Sequence, residues 1–175
     1  MSILSLFGIK PSWAEPPVEI ASPPSLFALE LARVIRGELG QGETTANNEG
    51  PRLDVYRKGG PKGAWCAAGV AWGIETTAEN LAVICPVRRS HSAKRLFKHA
   101  LLTGTLVKRP MTGDLALWHR GALGAATGHI GVVSVGLRDG TWFCYEGNRG
   151  SFPSRWREYM HEMGEPNFLG FCRLP

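Results

Sequence analysis

No apolar run in the chain approaches the roughly 20 residues that a helix needs to cross a bilayer, so no membrane span is expected. The opening stretch MSILSLFGIKPSWAEP has a short apolar segment, but no basic residue precedes it and no small-x-small cleavage site follows. No secretory signal is therefore expected. The four cysteines, Cys66, Cys85, Cys144 and Cys172, include no CxxC pair and no Cys/His spacing of the kind that holds zinc. No metal site or other cofactor is expected, and without a signal the thiols should stay free. Basic residues form only two short clusters, KRLFK (94–98) and VKRP (107–110), neither within a nucleic-acid-binding motif. Both read as solvated faces, so no specific nucleic-acid partner is expected. There is no internal repeat.

What is present fits one domain. With 175 residues, 43% of them hydrophobic, the chain can bury a single core. Twenty-two glycines and 12 prolines imply many turns and argue against a bare helical bundle. The net charge of +5 suits a polyanionic partner such as an anionic wall or membrane surface. Residues 1–24 carry Pro11, Pro16, Pro17, Pro23 and Pro24 and read as an extended arm or linker, leaving 25–175 as the domain.

Within that domain the pattern changes midway. Ser25 is a plausible N-cap for LFALELARVIRGELG, which places Leu26, Leu29 and Val34 at helical spacing and stops at Gly40. RLDVYRKGG reads as a short helix or turn. Residues 65 to about 75 read as a buried helix, with Gly69 and Gly73 allowing close packing against a sheet. Ser90 is the expected cap of the helix SAKRLFKHALLTG. GDLALWHR, HIGVVSVG, TWFCYEG and FLGFCRLP are then short, β-rich and separated by turns such as RDG. Helices followed by a strand meander predict an α+β fold, with helices packed on an antiparallel sheet.

One cysteine differs from the rest. In GAWCAAGVAW, Cys66 stands at the expected start of a helix, whereas Cys85, Cys144 and Cys172 read as small core hydrophobes. A thiol titrates near about 8.5 and needs a helix N-terminus and an imidazole to become a thiolate at neutral pH. TGHIGVV supplies His129 at the start of a β-run, and YEGN supplies Glu146 and Asn148 at the end of the next. Reflecting the hairpin about residue 139 brings His129 opposite position 149, next to Asn148 and near Glu146. While the strand stays extended, 146 and 148 share one face. A third polar group of this kind would fix the ring's tautomer and aim it, and the Cys66 N–H would be free to bind an oxyanion. His91, His99, His119 and His161 read as surface or helix residues. Trp65, Tyr56, Asn48 and Trp118, near the motifs, are candidate walls of a substrate groove.

WCAAGVAW, GDLALWHRG, GHIGVV and YEGNRG together resemble the blocks of the CHAP family, the cysteine, histidine-dependent amidohydrolases/peptidases, in the family's order and at similar intervals. NNEGPRLDVY and FLGFCRLP resemble further segments of phage and bacterial members, so the resemblance spans about residues 27–174. It implies a papain-like fold and cleavage of amide bonds in bacterial peptidoglycan, at the N-acetylmuramoyl–L-alanine link or within the peptides. Carried over, Cys66 is nucleophile, His129 general base and then acid, and Glu146 the orienter, with Asn148 a supporting group or the orienter itself. Some members have an acidic calcium loop before the cysteine. Here RKGGPKGAW is basic, and no calcium site is expected. No wall-binding domain is expected after the catalytic one. The expected protein is an endolysin, held in the host cytoplasm until release, or a virion-associated lysin tethered to phage structural proteins through its arm. The alternatives are a phage structural component that keeps the fold without turnover, and a cysteine amidase acting on a non-wall substrate.

Overall fold

In the computed structural model, residues 23–121, 125 and 127–175 are described. The Pro-rich arm expected over 1–24 lies outside them except for its last two residues. Ser25 caps the first helix, α1 (Leu26–Arg36), by accepting a hydrogen bond from the Ala28 N–H at 3.0 Å. The inward face differs from the expected one. Val34 is buried, but Leu26 is 71% exposed and Leu29 is also exposed, while Phe27, Ala28, Leu31, Ala32 and Ile35 fill the core. An i, i+3, i+4 stripe can be drawn through either set, and packing on α3 selects the second.

A short α2 (Pro51–Arg57) is followed by α3 (Cys66–Asn80), which runs five residues past the expected end. Gly69 and Gly73 do permit close approach, but not to the sheet. A Cβ at Gly69 would sit 2.6 Å from the Trp156 ring, and one at Gly73 would sit 2.5 Å from Ile35 of α1. The cap of α4 (Ala93–Ala100) is Ser92, not Ser90. The Ser92 hydroxyl accepts from the Arg95 N–H, while the Ser90 hydroxyl, two residues earlier, accepts from the Ser92 N–H.

The second half forms one antiparallel sheet: β1 (Thr105–Val107), β2 (Leu115–His119), β3 (Gly128–Gly136), β4 (Thr141–Glu146), β5 (Arg157–Glu162) and β6 (Phe168–Arg173). Its strand order is β1-β6-β2-β3-β4-β5. The fold is thus α+β, as the sequence pattern predicts. β1 and β5 are additional to the expected strands. Leu115, Leu117, Ile130, Val132 and Tyr145 pack with the helices. Their neighbours along each strand point the other way. There Ala116, Trp118, Val133, Trp142, Cys144 and Phe171 form a second, aromatic layer.

Candidate active site

Cys66 is the first residue of α3, and nothing acidic in the helix's first turn offsets its positive end. Trp65 anchors that turn. It is fully buried, stacks on Tyr56 with ring centroids 5.9 Å apart, and donates its indole N–H to Glu43 at 3.2 Å. Gly147 makes this seat available, because a Cβ there would lie 2.3 Å from the Trp65 ring.

His129 enters from the start of β3, on the face opposite Ile130, with its ring 5.6 Å from that of Trp118. Its Nε2 lies 2.6 Å from Glu146 Oε2. Both side chains are almost wholly buried. A proton on Nε2 therefore donates to Glu146 and leaves Nδ1 as the free nitrogen. Nδ1 is buried without a hydrogen-bond partner. The ring lies near enough to Cys66 for each group to shift the other's ionisation, yet no hydrogen bond of good geometry joins them. We read the resting pair as adjacent but unbonded.

Burial raises the Cys66 thiol. The His129 ring beside it, the charge of Arg120 and the Ile130 backbone outweigh burial and hold it below its ordinary value. Burial pushes His129 down, but Cys66 and Glu146 raise it above its ordinary value. Glu146 is opposed by burial too. Hydrogen bonds from His129 and His161 and the nearby charge of Arg149 bring it down to about 2. These directions favour a thiolate–imidazolium pair.

The hairpin register departs from the simple reflection. Gly136 faces Trp142 and Val135 faces Phe143, as a turn centred on 139 requires, but a bulge between Val133 and Val135 shifts the rest by one residue. Val132 then faces Tyr145. Gly131 has no side chain, and a Cβ on it would stand 2.9 Å from Glu146 Cγ. The missing side chain leaves the glutamate room to reach His129.

Asn148 does not share the face of Glu146. The strand ends at Glu146, and Asn148 has φ 60°, so the chain is no longer extended. Its Oδ1 accepts from the Trp65 N–H at 3.2 Å, and its Nδ2 donates to Asn48 Oδ1 at 2.9 Å. It holds the start of α3 and makes no hydrogen bond to the imidazole.

Of the four expected groove walls, one reaches a cavity. Trp65 and Tyr56 are 0% exposed and belong to the core, their polar atoms spent on Glu43 and Glu38. Asn48 is tied to Asn148, and its N–H donates to Glu43 at 3.0 Å. Trp118 lines a cavity of about 220 Å³ together with His119, Arg120, His129, Arg149 and Glu165. Cys66 does not line it and is 3% exposed.

The sequence reading missed His161. It is buried on β5, not on the surface. Its Nε2 lies 2.7 Å from Glu146 Oε1 and its Nδ1 lies 2.9 Å from Glu165. Both ring nitrogens face carboxylates, so both donate. Burial alone would lower its pKa, but the two acids raise it. The ring stacks on Trp142 with centroids 4.5 Å apart. Arg149 donates to the same Glu146 oxygen at 2.6 Å. REYMHE has no alternating apolar pattern, so nothing local marked a strand there. Only the β4–β5 pairing, with Trp142 opposite His161, brings this ring beside Glu146.

No protein-family model matches the chain, and no curated protein matches it significantly.

Proposed function

We propose that the protein is a cysteine amidase or endopeptidase of bacterial peptidoglycan, with a papain-like arrangement of helix and sheet. The observation that carries the proposal is the buried His129–Glu146 pair, which leaves one imidazole nitrogen without a partner, beside a thiol at the N-terminus of a helix. In the reaction, the Cys66 thiolate attacks the amide carbon, and the carbonyl electrons move to oxygen near the N–H groups of the first helical turn. The imidazolium of His129 gives its Nδ1 proton to the departing amine as the C–N bond breaks. A water then attacks the thioester, with His129 removing its proton, and the thiolate leaves. Glu146 keeps its charge throughout and holds the ring. The wall as substrate, and the setting as endolysin or virion lysin with the arm as tether, rest on the resemblance to the CHAP family and on the basic surface.

A second reading, a CHAP-like structural component without turnover, draws on the burial of Cys66 and its absence from the cavity. Digestion of purified sacculi separates the two. The wild type should release new amino groups without new reducing ends, and Cys66→Ala should release none while keeping the wild-type circular dichroism spectrum. Turnover by Cys66→Ala would overturn the proposal, and inactivity of the wild type on sacculi would favour the second reading.

A further inference from the structure

A second cavity, about 310 Å³, shares Arg149 with the first but is not lined by His129. Arg149, Arg155, Arg157, Tyr159 and the exposed Phe152 line it, and none of its lining residues is acidic. Arg155 and Arg157 flank the inward Trp156 and so point the same way, with Tyr159 continuing the alternation. Arg157 is exposed and makes no side-chain hydrogen bond or ion pair among the described residues. Arg155 uses one Nη on the Gly40 carbonyl at 2.9 Å. Arg149 lies over the Tyr159 ring at 4.3 Å and directs Nη1 to Glu146. Arg149 pairs with Glu146, and the other two guanidiniums have no acidic partner among the described residues. Arg149 lines both cavities, so the two adjoin at this residue.

We propose that this cavity is a substrate subsite that takes a free carboxylate of the peptide stem, with Arg155 and Arg157 as its ligands. Planar guanidiniums match a carboxylate by paired, charge-assisted hydrogen bonds, and amidation removes both the charge and one acceptor. The stem of peptidoglycan carries free carboxylates wherever its acidic residues are not amidated. Phe152 offers an apolar lip for the neighbouring part of the peptide. The inference rests on the wall-hydrolase reading for its ligand, but its test does not require turnover.

The test is calorimetric binding to the Cys66→Ala protein of two synthetic stem peptides, one with its acidic side groups free and one fully amidated. The free-acid peptide should bind about tenfold more tightly, consistent with charge-assisted pairing. The preference should disappear in Arg155→Gln/Arg157→Gln and survive in part in Arg157→Lys. Equal binding of the two peptides, or a preference that persists in the double variant, would overturn the subsite. So would inorganic phosphate competing at lower concentration than the free-acid peptide, since the site would then be one for phosphate. Absence of sacculus digestion by the wild type, with the binding preference intact, would instead count against the hydrolase reading alone.

Discussion

At the scale of single residues, one carboxylate serves two rings. Glu146 presents Oε2 to His129 and Oε1 to His161 and Arg149. Glu146→Gln keeps the shape but removes the charge that raises His129. Turnover should fall on the order of 100-fold, the scale of a misplaced general base. The alkaline limb of the rate–pH profile, set by the raised histidine of the coupled pair, should move to lower pH. Asn148→Ala removes the acceptor for the Trp65 N–H and should cost about 1 kcal/mol, like the loss of a helix cap. Its alkaline limb should stay in place. Rate–pH profiles and urea midpoints of both variants test this, and the roles are reversed if the limb moves only in Asn148→Ala. The grouping of Cys66, His129 and Glu146 was legible because their residue types and spacing point to one another. The function of Asn148 was not, because it depends on the chain turning at φ 60°.

Among the elements, the presence of the helices and of four strands was legible in the pattern, and what a packing neighbour decides was not. α1 has its cap at Ser25, yet its buried stripe was decided by α3. β5 is polar along most of its length and exists through its ladder with β4. The bulge in β3 leaves no mark in GHIGVVSVG, yet it sets which residue faces Glu146's neighbours. Gly69 shows the same dependence in energetic form. Alanine at a mid-helix position should gain up to about 1 kcal/mol in propensity over glycine. Its Cβ, however, would stand 2.6 Å from the ring of Trp156, which is nearly inaccessible and packed by Trp65 and Tyr56. Overpacking of that kind costs about 1–3 kcal/mol, so Gly69→Ala should be net destabilising. A raised urea midpoint would mean that Trp156 can move aside.

For the molecule as a whole, the buried His129–Glu146–His161 cluster gives stability a pH window. Glu146 is depressed from 4.5 to about 2, so its contribution is complete above 4.5 and is lost as the pH falls toward about 2. His129 and His161 are raised above 6.5, so theirs are complete below 6.5 and are lost as the pH rises through the folded values. The windows overlap between 4.5 and 6.5, where the cluster should stabilise most. Urea midpoints measured across the pH range should peak there in the wild type and flatten in Glu146→Gln. An identical curve in the two proteins would mean that the cluster does not govern stability. Sheet order has a different consequence, one of timing. β6 follows the other described strands in sequence but lies between β1 and β2. Until residues 168–173 have been synthesised, β2 and its Trp118 keep one edge bare, open to any passing strand. The scaffold beside His129 is thus closed by the stretch of this sequence that leaves the ribosome after all the other strands.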